Sequence, residues 1–351
     1  MRRIKKGSAI LLAAALVFSA LALPKAYAAV GIEEPENGCS VEFNVPTSTF
    51  SELSTLEIPV YFYKVANVGV GGDYTAVTGI DTSLAVIDSD TTADEMKVLA
   101  DALKTEVESD GISPVKEVEV KNSNKTVAGL EIGLYLVVPE TVNSAYNEYE
   151  FSPMLISLPS NNFYNGGSDS WIYNVQVELK AEKADRYGDL EINKTLDVYN
   201  ATVGEATFVF QVEATKSDVD DNTNTPVSVY SNVVSLTFDG PGTESILIED
   251  IPAGAVVTVT EIYSGAGYTL TSEGTQSVTI VAKEENSEVT ADAEPVEVSF
   301  SNTYDEGMNG GSGVVNSFSY VDGQWTWQQK EVSDIENAKP NLAPVVSGTQ
   351  Q

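Results

Sequence analysis

Three polar residues of this chain fall on strand faces that are otherwise apolar: Lys194, Glu261 and Asn302. In residues 188–197, GDLEINKTLD, a strand repeat of two puts Leu190, Ile192, Lys194 and Leu196 on one face. Glu191, Asn193 and Thr195 take the other face. The first face is mostly aliphatic, so it is expected to be buried and Lys194 with it. In residues 255–261, AVVTVTE, Glu261 shares a face with Val257 and Val259. In Val296–Tyr304, VEVSFSNTY, Asn302 shares one with Val296, Val298 and Phe300. A buried, unpaired ammonium is very costly, and the three misplacements explain one another if the side chains meet. In a dry site the lysine pKa falls and the carboxyl pKa rises, so both groups can be neutral. A neutral amine is a nucleophile, and a neutral glutamic acid can hydrogen-bond to the Asn302 carbonyl and polarise it. Attack on that carbonyl carbon expels ammonia and leaves an amide between the Lys194 and Asn302 side chains. The competing reading is three tolerated polar residues in a sandwich, with Lys194 snorkelling to solvent.

These stretches, with VTVTEIYSGAGY at residues 257–268, resemble the Cna B-type domains of Gram-positive surface proteins. The resemblance covers residues 188–305. It implies a β-sandwich whose first and last strands are joined by an isopeptide bond between Lys194 and Asn302. It assigns autocatalysis of that bond to Glu261. Such single-turnover chemistry would not make the protein an enzyme.

The elements that must position this site belong to an exported chain. Residues 1–28 read as a signal peptide, with Arg2, Arg3, Lys5 and Lys6 before the apolar run 9–23 and Ala26-Tyr27-Ala28 as the cleavage site. No membrane span is expected after cleavage. Cys39 is the single cysteine, so no internal disulfide can form despite export, which leaves room for another covalent staple. Nineteen Lys+Arg stand against 52 Asp+Glu, a net charge of −33. Loss of Arg2, Arg3, Lys5, Lys6 and Lys25 with the signal makes it −38. Nucleic acid and anionic lipid would repel such a chain. The absence of histidine removes Ser–His and Cys–His nucleophile systems and histidine metal sites. No paired-acid motif marks a hydrolase, and no cofactor is expected.

The remaining length suits two domains with extensions. The expected fold class is mainly β: two tandem Ig-like or Cna B-type β-sandwich domains, the first with one inserted helix. Residues 38–184 form the first domain, 188–305 the second, and 306–351 a C-terminal tail with possible added strands. In the first, strands are expected at 41–45, 56–68, 115–120, 130–138 and 150–158. A helix is signalled by the Thr92/Glu95 capping box and the Met96, Leu99, Leu103, Val107 stripe, with Asp110-Gly111 as its stop. Gly69–Gly72 reads as a turn. Lys64 shares a face with Val60 and Phe62, but no partner for it can be chosen. In the second domain Asp218, Asp220, Asp221, Asn222 and Asn224 crowd one loop without the EF-hand glycine or closing glutamate, and read as a solvated acidic loop.

Residues 171–180, WIYNVQVELK, alternate again. Trp171, Tyr173, Val175, Val177 and Leu179 face one way, which leaves Lys180 on the exposed side. The spacing of Trp171, Val175, Val177 and Lys180 resembles the pilin motif of Gram-positive backbone pilins. Residues 133–159 are also similar to the pilin first domain. The resemblance implies that Lys180 is the intersubunit acceptor, to which sortase joins the C-terminal threonine of the next subunit. Glu178-Leu179 and Ala181 depart from the family's Tyr-Pro before the lysine and Asn after it. The other reading of Lys180 is an ordinary solvated strand-edge lysine.

The tail departs further. The resemblance implies an LPxTG-like pentapeptide, a hydrophobic span and a basic end, whereas residues 339–351 read KPNLAPVVSGTQQ. Residues 314–328 alternate around Phe318, Tyr320, Trp325 and Trp327 and are expected to add strands. Pairing of a tail strand with a neighbour's sheet edge would give non-covalent polymerisation. The whole chain is thus expected to be a cell-surface pilus shaft subunit, with other pilin subunits (a homopolymer) and sortase as partners. The alternative is a surface adhesin that binds matrix protein or glycan. A secreted carbohydrate-active enzyme is a distant third.

Overall fold

Every residue of Gly133–Pro139, GLYLVVP, is buried, and the reason organises the first half of the protein. The computed structural model describes residues 31–85, 87, 91–161, 170–218, 220, 225–265, 267–283, 294–305, 313–321 and 324–332. Segments 84–85, 161, 313–321 and 324–332 are described as backbone only. The signal-like segment 1–28 lies outside the described residues. The chain groups into two units, Met1–Tyr187 with Ser217–Pro226, and Gly188–Lys216 with Val227–Gln351.

In the first unit Gly133–Pro139 pairs with Ile58–Val68 and Met154–Leu158. Tyr74–Ala76 and Lys116–Val120 also pair with Ile58–Val68. One face of this five-stranded sheet packs into a core with Val41, Phe43, Tyr149 and Val177. On the other face Leu134, Leu136 and Val138 meet Ala100, Leu103 and Val107 of the helix Ala93–Ser109. A strand covered on both faces is apolar at every position and not at alternate ones. The helix begins at the Thr92/Glu95 capping box, where both reciprocal hydrogen bonds form.

Two strands read as continuous are broken. Residues 150–158 separate at Ser152-Pro153 into Asn147–Phe151 and Met154–Leu158, which join different sheets. Proline has no N–H for a ladder. Residues 171–180 separate at Tyr173 into Trp171–Ile172, on Ser160–Asn161, and Asn174–Glu178, which runs parallel to Cys39–Asn44. Thr126–Leu130, on the other side of Cys39–Asn44, was not legible as a strand of its own.

The described residues of the second unit include a sandwich of two four-stranded sheets. One has the order Gly242–Pro252, Tyr187–Leu196, Val296–Tyr304, Tyr268–Leu270. The other has the order Val227–Phe238, Ala206–Lys216, Val256–Tyr263, Thr275–Thr279. The inward residues of both, among them Leu190, Ile192, Phe208, Phe210, Val259 and Phe300, form one core. The protein is therefore mainly β, with one α-helix among the described residues. In the tail, Gly313–Val321 and Gln324–Val332 form a hairpin in which Phe318 is opposite Trp327 and Tyr320 opposite Trp325.

Gly188 opens the second unit where no side chain fits. A Cβ there would lie 1.8 Å from the backbone oxygen of Val281. Gly188→Ala is expected to push these segments apart and destabilise the unit by about 1–3 kcal/mol, measured by thermal unfolding.

Candidate functional site

Tyr187–Leu196 and Val296–Tyr304 lie side by side and parallel, from Leu190 opposite Val296 to Leu196 opposite Asn302. Lys194 is opposite Phe300. Lys194 and Asn302 therefore share the inward face two positions apart, a gap that a lysine stem leaning along its strand can close. Both residues have no solvent exposure.

Glu261 comes from the facing sheet. Its strand pairs with Ala206–Lys216, and the register shifts so that Phe210 faces Glu261 while Val209 faces Tyr263. This bulge at Ile262 lets consecutive residues turn inward, so Ile262 is buried as well. The Glu261 side chain is 1 % exposed.

The three side chains meet. Lys194 Nζ is 2.5 Å from Glu261 Oε2 and donates to Asn302 Oδ1. Asn302 Nδ2 donates to Glu261 Oε1 at 2.7 Å and to the Ser264 carbonyl at 3.4 Å. The floor is aromatic: Nζ lies 4.6 Å from the Phe208 ring centre and 5.8 Å from that of Phe210. Two effects compete for the protons. Burial destabilises both charges, whereas each partner's opposite charge would stabilise them. Burial wins at each group: the Lys194 amine is pushed below, and the Glu261 carboxyl above, its ordinary range.

One detail differs from the expectation drawn from sequence. The glutamate faces the amide nitrogen of Asn302 and not its carbonyl oxygen. A carboxyl bridging the attacking amine and the leaving nitrogen can carry a proton from one to the other. The alternation of residues 206–216 marks Phe208 and Phe210 as inward-facing. Only the packing of two sheets puts them under the amine, and no pattern within one strand reveals that.

The first-unit candidates are placed separately. Val175 and Val177 are buried, Trp171 is half-buried, and Lys180 is exposed. The Lys180 carbonyl accepts from the Ser152 N–H at 3.1 Å, which fixes the backbone beneath the exposed side chain. Gly72 has a left-handed φ of 87°, and a Cβ there would come within 3.1 Å of the Trp171 ring. Lys64 stays largely buried on the face of Val60 and Phe62, and its amine lies 3.1 Å from Glu131, which is itself exposed. Asp218 and Asp220 both receive the Lys183 ammonium, at 2.9 and 2.6 Å, while Asp221, Asn222 and Asn224 lie outside the described residues. Among the described residues no cluster of acidic residues and cysteine is suited to a metal. No described helix is long and apolar enough to cross a membrane.

Comparison with known proteins gives a family match over part of the chain. The family model described as "Domain of unknown function (DUF5979)" matches residues 190–305, the sandwich that holds this site. No curated protein matches the sequence. Among solved structures, the Bacillus anthracis TIE protein is 12% identical with a TM-score of 0.28; the alignment covers 77% of this chain and 34% of that one. The minor pilin GBS52 of Streptococcus agalactiae is 14% identical with a TM-score of 0.23, over 78% of this chain and 100% of its own. The full-length major pilin SpaD of Corynebacterium diphtheriae is 12% identical with a TM-score of 0.24, over 79% and 100%. Similarity at this level leaves the function of the site to its geometry.

Proposed function

We propose that this is an exported pilus shaft subunit whose second unit staples itself with an amide between Lys194 and Asn302. The observation that carries the staple is the meeting of a fully buried lysine, a buried glutamate and a buried asparagine over the rings of Phe208 and Phe210. The Nζ lone pair attacks the Asn302 side-chain carbonyl carbon. The C–N bond to Nδ2 then breaks, and Glu261 passes the proton lost by Nζ to the departing nitrogen, which leaves as ammonia. The reaction occurs once per chain, so the protein does not turn over a substrate. Joining the first strand to the last routes a pull on the unit's ends through covalent bonds, which suits a load-bearing filament.

Bond formation is expected to follow a bell-shaped pH profile. It requires an unprotonated Lys194 and a protonated Glu261. Acid below the lowered lysine pKa stops the nucleophile, and alkali above the raised glutamate pKa removes the proton donor. Intact mass followed over time after refolding at a series of pH values measures this directly. A rate indifferent to pH would contradict the assignment of both groups.

The shaft role draws on the exposed Lys180 beside the buried Val175 and Val177, and on the resemblance of that stretch to the pilin motif. Sortase is the proposed polymerising partner. In the producing cell, Lys180→Ala is expected to abolish detergent-resistant polymers and leave monomer. Unchanged polymers would remove Lys180 from the proposal. Ligand capture by an isolated monomer, without filaments on the cell, would point to the adhesin instead.

A further inference from the structure

Among the described residues, four strands form the edges of the sandwich's two sheets, and three of them are guarded against pairing with another chain. Tyr268–Leu270 and Thr275–Thr279 are only three and five residues long. Gly242–Pro252 carries Glu244, Glu249 and Asp250, ends in proline, and is kinked by a left-handed φ of 60° at Asp250. Charge, proline, irregularity and shortness are the usual protections of a sheet edge. The fourth edge, Val227–Phe238, is long and has neither charge nor proline, and its one irregularity, a bulge at Val229 near its start, leaves Tyr230–Phe238 regular. Its twelve residues, VSVYSNVVSLTF, contain no charge, proline or glycine, in a chain where 20% of residues are charged.

This strand is also incompletely covered. Its inner side pairs along its length with Ala206–Lys216. Tyr230, Val234 and Leu236 pack on the core but stay partly exposed, and Val227 and Val233 are more than half exposed. The Val233 N–H donates to the neighbouring Asn232 side chain at 2.9 Å, a local partner in place of a strand.

We infer that Val227–Phe238 is a self-association edge, which pairs antiparallel with the same strand of a second copy and joins two four-stranded sheets into one of eight. Charge selects the occupant. Two copies of a chain at −33 repel wherever their carboxylates face each other. Along this strand any antiparallel register sets only uncharged residues opposite one another, and the β-branched and aromatic side chains suit such pairs. The contact is self-complementary, so it closes as a two-fold dimer. In filaments it would bind shafts side by side. It does not depend on the staple, since the edge is present whether or not Lys194 has reacted.

Sedimentation velocity on the chain without residues 1–28, over a concentration series at low and high salt, tests this. A monomer–dimer equilibrium is expected, with dimer favoured by salt because screening weakens like-charge repulsion. Val233→Lys and Val233→Pro should each raise the dissociation constant about tenfold or more, through like-charge repulsion and loss of an outward donor. Neither should lower the melting temperature appreciably, because Val233 is half-exposed and its N–H lies outside the ladder. A monomer at every concentration and salt overturns the inference. So does a dimer that both variants leave intact, that weakens with salt, or that disappears only when residues 306–351 are removed.

Discussion

Glu261→Ala is expected to leave the second unit barely folded at 37 °C, the largest loss among single substitutions at the site. Two costs combine. Without the acid no amide forms, and a link between residues 108 apart in sequence is lost; by analogy with disulfide loop closure this removes about 5 kcal/mol. The variant also leaves the buried Lys194 amine without its hydrogen-bonding acid, which costs about 1–3 kcal/mol more. The sum is comparable to the whole stability of an ordinary domain, about 5–15 kcal/mol. Lys194→Met separates the two costs. It too abolishes the amide, but it leaves no unpartnered buried amine, and Glu261 can stay protonated against Asn302. Its melting temperature should therefore fall below wild type yet stay well above that of Glu261→Ala. Calorimetry of the three proteins measures the order. If the wild type had no amide, replacing the buried lysine by an apolar isostere would be near neutral or stabilising. The direction of the Lys194→Met shift thus discriminates between the two cases.

The second large effect is mechanical. Pulled from its ends in a force spectrometer, the wild-type second unit should release almost no chain between Lys194 and Asn302. The 108-residue separation corresponds to about 390 Å of extension that stays hidden behind the amide. Asn302→Ala should restore that increment at ordinary unfolding forces. Full extension of the wild type would show that load does not bypass the sandwich.

How far the sequence specified this structure follows from the range of the interactions involved. The faces of residues 188–197 and 296–304 were legible because a strand's period of two is local, and one misplaced lysine stands out against three aliphatic neighbours. The helix start was legible for the same reason, since Thr92 and Glu95 satisfy each other's backbone within one turn. Bulges were not legible. The one beside Glu261 changes which consecutive residues point inward, and the one after Lys64 lets the consecutive residues Val65 and Ala66 both be buried. Each depends on the partner strand's register, which a single strand does not encode. The orientation of Glu261 toward the Asn302 nitrogen, and the aromatic floor under Lys194, likewise arise from two sheets packing together. Ser152-Pro153 carried a signal in its proline, and it marks the point where the chain passes from one sheet to another.

The most direct test is the intact mass of the chain without residues 1–28, beside Lys194→Ala, Glu261→Ala and Asn302→Ala. The wild type should weigh about 17 Da less than its sequence, one ammonia, and each variant should match its own sequence mass. A proteolytic digest should then yield the Lys194 and Asn302 peptides as one branched species. A wild type at full sequence mass, after folding at the pH where formation is fastest, would contradict the amide and leave a sandwich with a buried Lys194–Glu261–Asn302 cluster.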